Sequence, residues 1–199
     1  MNFYNITKFD EIQEFHNITP IDNIPSIIKH GLLCHDLAKK YSHKDISLNE
    51  VQERRGKRVP GGLALHKYVN LYFHARNPML RRRLNENICI LRIDKCVANL
   101  DNVVFSDRNA ASDYTSFKSR ANVHTFEFDK IFAKDWRSPN KITYYSNKSK
   151  KCAEVLVPNK IDPSYIIGAY VKNKQDKEEL IDKGFDKEII VSKEMFFGG

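Results

Sequence analysis

From Lys151 to Pro158 the chain reads Lys-Cys-Ala-Glu-Val-Leu-Val-Pro. Strand alternation puts Cys152, Glu154 and Leu156 on one face and Ala153, Val155 and Val157 on the other. Both faces are largely apolar, so the run reads as a strand inside a sheet, with Glu154 at least partly buried. Basic residues precede it at Lys148, Lys150 and Lys151. A buried carboxylate requires partners or a task. A structural ion pair, an edge carboxylate facing water and a catalytic group all fit this segment taken alone.

Further strand-like runs lie on both sides: Tyr68 to Phe73, Ile88 to Ile93, Val103 to Phe105, Tyr165 to Val171 and Glu188 to Val191. The first is apolar on both faces, as a central strand would be. Residues 21–31 read as a short helix: Asp22 or Asn23 can cap it, Pro25 suits its first turn, and Gly31 stops it. Residues 176–183 read as a second helix ending at Gly184. From His35 to Pro60 the pattern is polar, as in a long loop with one or two helical turns. Residues 109–145 read as a loop with a helix near Phe126 to Phe132. The strands do not alternate regularly with helices, which predicts an α+β fold with a mainly antiparallel sheet.

The chain has 199 residues, 41% hydrophobic and 11% aromatic, as in a folded globule of one large or two small domains. Its formal net charge is +8, from 33 Lys and Arg against 25 Asp and Glu. That excess fits either a polyanionic partner such as nucleic acid or a merely basic surface. Arg54, Arg55, Lys57 and Arg58 form one basic cluster and Arg81, Arg82 and Arg83 another. Arginine forks grip phosphates, although the second cluster also reads well as a solvated loop. Cys34, Cys89, Cys96 and Cys152 include no Cys-x-x-Cys pair, and reduced thiols in the cytoplasm are expected. The first residues carry no positive n-region or apolar h-region, and no apolar run reaches membrane-spanning length, so neither secretion nor membrane insertion is expected. The seven histidines lack metal-ligand spacing, and no metal is expected. There is neither a Walker-type loop nor a Gly-x-Ser-x-Gly elbow.

Several segments combine into a recognisable order. Phe-His-Asn-Ile-Thr-Pro-Ile-Asp-Asn-Ile-Pro-Ser-Ile-Ile-Lys-His-Gly-Leu-Leu runs from Phe15 to Leu33, and Val-Gln-Glu-Arg-Arg from Val51 to Arg55. Leu-His-Lys-Tyr-Val-Asn-Leu-Tyr-Phe-His-Ala-Arg-Asn-Pro-Met-Leu occupies residues 65–80, and Ser-Asp-Arg-Asn-Ala-Ala residues 106–111. Thr-Ser-Phe at 115–117 and Ala-Glu-Val-Leu-Val-Pro at 153–158 complete the set. In this order the chain resembles the DarT-type DNA ADP-ribosyltransferase toxins, whose antitoxin is a macrodomain protein.

The resemblance implies one ADP-ribosyltransferase domain over residues 1–199, with split, mainly antiparallel β-sheets around an NAD cleft and peripheral helices. It implies NAD as co-substrate without a metal, single-stranded DNA as acceptor and a macrodomain antitoxin as partner. It makes Glu154 the catalytic glutamate, with one of Arg54 and Arg55 working beside it. His16, Asn17, Thr19, Asn23 and Tyr72 fall to NAD binding, and Arg76, Arg108 and Phe117 to the DNA. The wording from Asn70 to Met79 is closer to the guanine-modifying branch than to the thymine-modifying one. The chain departs from the family pattern at Lys67, Arg108 and Ser116. A gapless match would also put Asn17 in place of the opening histidine. Two alternatives stay open: transfer to RNA or protein, and a non-catalytic basic nucleic-acid-binding module in which Glu154 is structural.

Overall fold

The computed structural model describes residues 4–44 and 55–198. Its strands are β1 (Glu14–Pro20), β2 (Leu32–Leu33), β3 (Tyr68–Tyr72), β4 (Ile88–Asp94), β5 (Val104–Ser106), β6 (Phe117–Lys118), β7 (Glu154–Pro158), β8 (Lys160–Ile161), β9 (Ile166–Val171) and β10 (Glu188–Val191). Its α-helices are α1 (Ile24–His30), α2 (His35–Ala38), α3 (Pro78–Arg82), α4 (Phe128–Ile131), α5 (Lys141–Lys150) and α6 (Lys174–Asp182). Eight strands form one sheet in the order β10-β9-β4-β1-β3-β7-β5-β6, while β2 and β8 pair separately. Neighbours are antiparallel except β9 and β10.

The sheet narrows at its centre. β1 pairs with β4 along its whole length but meets β3 only where His16 lies opposite Tyr72. Two four-stranded halves therefore share one central contact, which is the form the expected split takes.

One face of the sheet carries the main core. Phe15, Phe73, Phe105 and Phe128 are fully buried there with Val155 and Val157. Edge-to-face contacts join the rings; Phe15 and Phe73 are 5.6 Å apart. The other face is different. Its apolar side chains fall into two smaller clusters, one around Ile90 and Tyr170 and one around Tyr68 and Leu156. Polar side chains lie among them.

The core strands stand where their apolar runs predict, shifted by a residue or two at the ends. β1 was not foreseen, because Glu14, His16, Asn17 and Thr19 break its apolar pattern. Tertiary partners resolve that conflict. Tyr170 Oη donates to Glu14 Oε1 at 2.7 Å, and Arg92 Nε donates to Glu14 Oε2 at 2.8 Å. The other side of Arg92 meets Glu188. Burial raises the affinity of Glu14 for a proton. Its bonds to His16, Tyr170 and Arg92 outweigh that and hold the carboxyl at about 2. The charged form is thus favoured in the folded state, and the stabilisation is present above the ordinary value of 4.5. It is lost as pH falls towards 2, a change on the order of 2–3 kcal/mol. Urea unfolding at stepped pH should show this acid slope, and Glu14→Gln should flatten it. An unchanged slope in the variant would show that other carboxylates carry it.

The first expected helix splits into a 3-10 turn at Ile21–Asn23 followed by α1. Asn23 occupies the N-cap position but does not cap with its side chain. Instead its Nδ2 donates to Lys44 O at 2.9 Å and its Oδ1 accepts from Lys44 N at 2.8 Å. Gly31 ends α1 with φ of 82°, and a Cβ there would lie 2.2 Å from Ile161 O, so glycine is required. Of the long segment from His35 to Pro60, α2 is one helical turn, and residues 45–54 lie outside the described residues. The stretch from 109 to 145 is more ordered than expected. It holds β6, α4 and the start of α5. α5 buries none of its residues, so it lacks the apolar stripe that would mark it in the sequence. Its start is signalled only by Asn140, whose Oδ1 accepts from Thr143 N at 3.0 Å.

Candidate active site

Strand register builds the site. His16 stands opposite Tyr72, Tyr72 opposite Glu154, and Glu154 opposite Ser106. Paired residues share a face, so four neighbouring strands present these side chains in one row across the central contact. The strand from Lys151 to Pro158 alternates as its sequence requires: Ala153, Val155 and Val157 enter the main core, and Glu154 faces the polar row.

Glu154 is 1% exposed and held on both oxygens. Arg55 Nη1 donates to its Oε2 at 3.0 Å, and the backbone N–H of Ala110 donates to its Oε1 at 3.1 Å. Its own N–H donates to Ser106 Oγ at 3.2 Å. Arg55 Nη2 is also buried and has no hydrogen-bond partner among the described residues. An ordinary structural ion pair would satisfy that nitrogen. Here a charged donor with no partner among the described residues stands beside a fixed carboxylate. Arg54 lies outside the described residues.

The loop supplying Ala110 is built from its own polar groups. Asp107 Oδ1 accepts from Ser116 N at 2.9 Å, and Thr115 Oγ1 donates to Asn109 O at 2.7 Å. Lys57 Nζ donates to Ser112 O at 2.5 Å, tying this loop to the segment that bears Arg55. Arg108 pairs with Asp107 at 2.9 Å. Phe117, on the edge strand β6, packs against the Tyr68–Leu156 cluster, so part of its ring serves the core. Arg76 lies apart from Glu154: its Nε donates to Lys134 O at 3.3 Å, and its guanidinium covers the Phe197 ring at 4.3 Å.

The expected NAD-binding residues divide into two groups. Asn17, Thr19 and Asn23 line one groove of about 180 Å³, together with α1, β2 and residues up to Lys44. Asn17 Nδ2 also donates to Asn70 O at 3.3 Å, spanning the two half-sheets. His16 and Tyr72 do not line that groove. His16 Nδ1 accepts from Ala75 N at 3.0 Å, which leaves the proton on Nε2 to be donated to Glu14 Oε1 at 3.0 Å. Both ring nitrogens are thus used inside the protein, and His16 orients the row. Tyr72 is buried; burial first, and then the charge of Glu154, push its phenol well above the usual range and keep it protonated.

Ser106, the Ala110 N–H and the network of Glu14, Arg92 and Tyr170 were not singled out in the sequence. Arg92 carried a signal like that of Glu154, a charge in an apolar strand, whereas Glu14 lies in the polar pattern of β1. A backbone donor such as Ala110 carries no side-chain signal at all. Among the described residues no group of three His, Cys, Asp or Glu side chains is placed to hold a metal.

A split, mainly antiparallel sheet with a buried carboxylate and arginine beside its central contact defines an ADP-ribosyltransferase-like fold. Residues 16–197 match the family model described as DarT, ssDNA thymidine ADP-ribosyltransferase, and the chain belongs to that family. Over 183 residues it is 31% identical to a DNA ADP-ribosyl transferase–DNA ADP-ribosyl glycohydrolase fusion protein of Thermosipho africanus, covering 86% of this chain and 46% of the relative. It therefore spans about half the length of that protein. Over 166 residues it is 28% identical to a DNA ADP-ribosyl transferase of Thermus sp., covering 75% of this chain and 76% of that one. The structure of Thermosipho africanus DarTG in complex with ADP-ribose superposes with a TM-score of 0.81 at 28% identity, over 93% of this chain and 51% of the other. Thermus sp. DarT in complex with ADP-ribosylated ssDNA gives 0.81 at 23% identity, over 96% and 98%, and supports the fold.

Proposed function

We propose that this chain transfers ADP-ribose from NAD to a base of single-stranded DNA. The observation that carries this reading is the Glu154–Arg55 pair, with its carboxylate fixed on two sides and one buried guanidinium nitrogen without a partner among the described residues. NAD supplies the ADP-ribosyl group and departs as nicotinamide. As the bond between nicotinamide and ribose breaks, positive charge develops at the ribose carbon. Glu154 stabilises that charge and holds a ribose hydroxyl, from a rigid strand that needs no rearrangement. A nitrogen of the acceptor base forms the new bond to that carbon, and its proton passes to Glu154. Arg55 holds Glu154 through Nη1 and turns its second nitrogen to the dinucleotide. Asn17, Thr19 and Asn23 line the groove that would take the rest of it.

For the acceptor we keep guanine, on the wording from Asn70 to Met79; the family description names thymidine. An arginine fork is the usual reader of the guanine O6 and N7 edge, and Arg108 stands in the loop that holds Glu154. The fused glycohydrolase of the Thermosipho relative supports a partner that removes the modification, such as a macrodomain antitoxin. The cytoplasm, where NAD and transiently single-stranded DNA meet, is the compartment this reading requires.

The test is transfer from labelled NAD to matched oligonucleotides that vary one base at a time, single-stranded and duplex. Single strands should be modified well above duplex, because a paired base must first leave the stack at a cost of a few kcal/mol. Transfer confined to strands containing thymine would refute guanine. Equal transfer to duplex would refute the single-strand assignment.

A further inference from the structure

A second cavity lies away from Glu154, and the chemistry above does not use it. It measures about 600 Å³, the size of a small-ligand site, and is walled by α3, the segment from Lys134 to Arg137, and α5. Six cations, Arg76, Arg81, Arg82, Lys134, Arg137 and Lys148, line it, against one lining carboxylate, Asp135. Asp135 is taken by Arg137, and Lys134 meets Glu194 at 3.7 Å. Among the described residues Arg81, Arg82 and Lys148 meet no carboxylate. Tyr144 and Phe197 bring aromatic faces to the same space. Phe197 lies beneath Arg76 and Arg81, and Lys148 Nζ sits 5.7 Å from the Tyr144 ring. A solvated basic face would spread its charges and carry no cavity. Unneutralised cations around a concavity with aromatic walls match a phosphodiester flanked by an unpaired base.

The cavity is fixed to the catalytic strand. Lys151, three residues before Glu154, is 1% exposed, and its Nζ donates to Ile131 O at 2.9 Å and Ala133 O at 2.7 Å. The same nitrogen stands 3.3 Å from His74 Nδ1. These bonds clamp the segment leading into Lys134–Arg137 between the start of β7 and the end of β3. Arg76 follows Tyr72 by four residues, so its Cα lies within about 14 Å of the central row.

We propose that this cavity is a subsite for the single strand outside the reaction centre, holding the backbone phosphate and one base a few nucleotides from the modified base. This rests on the proposed acceptor. The cavity would set the minimum strand length and contribute to affinity without reading the modified base. It would also give the arginine cluster at residues 81–83 a function.

The test uses Arg81→Ala/Arg82→Ala and Tyr144→Ala in the whole chain; none of these three residues touches the Glu154 pair. Anisotropy with a labelled single strand measures binding at several salt concentrations, and transfer is compared on a long strand and on one trimmed to the modified base. The arginine variant should bind the long strand about tenfold more weakly, with a salt slope reduced by about 1.4 for two lost phosphate contacts. Tyr144→Ala should weaken binding about tenfold with the slope intact. In both, KM for the long strand should rise while kcat and transfer to the trimmed strand hold. Variants that transfer and bind like the parent, with unchanged slope, would overturn the subsite. If the parent binds single strands through these residues but transfers nothing, the subsite stands and the proposed activity fails. Binding of duplex as tightly as single strand would also overturn it.

Discussion

Glu154→Gln should lower ADP-ribosyl transfer by about 100- to 1,000-fold, as expected when one fixed electrostatic stabiliser is removed. The variant keeps the shape of the side chain. Its amide oxygen can still accept from Arg55 or the Ala110 N–H, so the loop and the NAD groove should remain in place. NAD affinity, read by calorimetry, should therefore change far less than kcat. On the proposed function, loss of the carboxylate removes a negative charge beside the ribose carbon and a proton acceptor for the base. A Gln variant with near-parental turnover would make Glu154 a structural carboxylate.

Arg55→Ala should be damaging in two ways. It leaves Glu154 buried with no counter-charge among the described residues, and breaking a buried pair typically costs about 3–5 kcal/mol. It also removes Nη2, which has no partner among the described residues and which the proposed function assigns to the dinucleotide. Thermal unfolding should shift to lower temperature and transfer should disappear. Arg55→Lys separates the two effects. A single ammonium can neutralise Glu154, so much of the stability should return, but it lacks the planar fork to bond Glu154 and a ligand oxygen together. Transfer should stay low. Arg54→Ala is expected to change neither property greatly, since Arg55 supplies the guanidinium bonded to Glu154. Full activity in Arg55→Lys would show that charge alone is needed.

These expectations show what the sequence could and could not reveal. Glu154 was legible because β7 buries both faces, and a carboxylate in such a run must be neutralised or used. β3, β4, β9 and β10 were legible for the same reason of apolar patterning. β1 was not, because its polar residues are satisfied by Arg92 and Tyr170, which are distant in sequence. Its absence from the sequence reading hid the geometry of the centre, where a single pair, His16 and Tyr72, joins the two half-sheets. The resemblance named His16 for NAD binding; the structure uses both its ring nitrogens internally. Asp22 or Asn23 was expected to cap α1; Asn23 holds the N-cap position but clasps Lys44 instead. α5 escaped notice because an exposed helix has no buried stripe to betray it. The arginines at 81–83 were visible as a cluster, but their meaning depends on Lys148 and Arg137, which only the fold brings near them.

The central claim is that Glu154 and Arg55 transfer ADP-ribose to single-stranded DNA. Mass spectrometry of a single-stranded oligonucleotide after incubation with NAD and the purified chain tests it most directly. The strand should gain the mass of one ADP-ribose as nicotinamide is released, and the gain should vanish with Glu154→Gln. Gain on RNA or protein instead, or tight salt-sensitive binding of the strand with no gain on any acceptor, would contradict it.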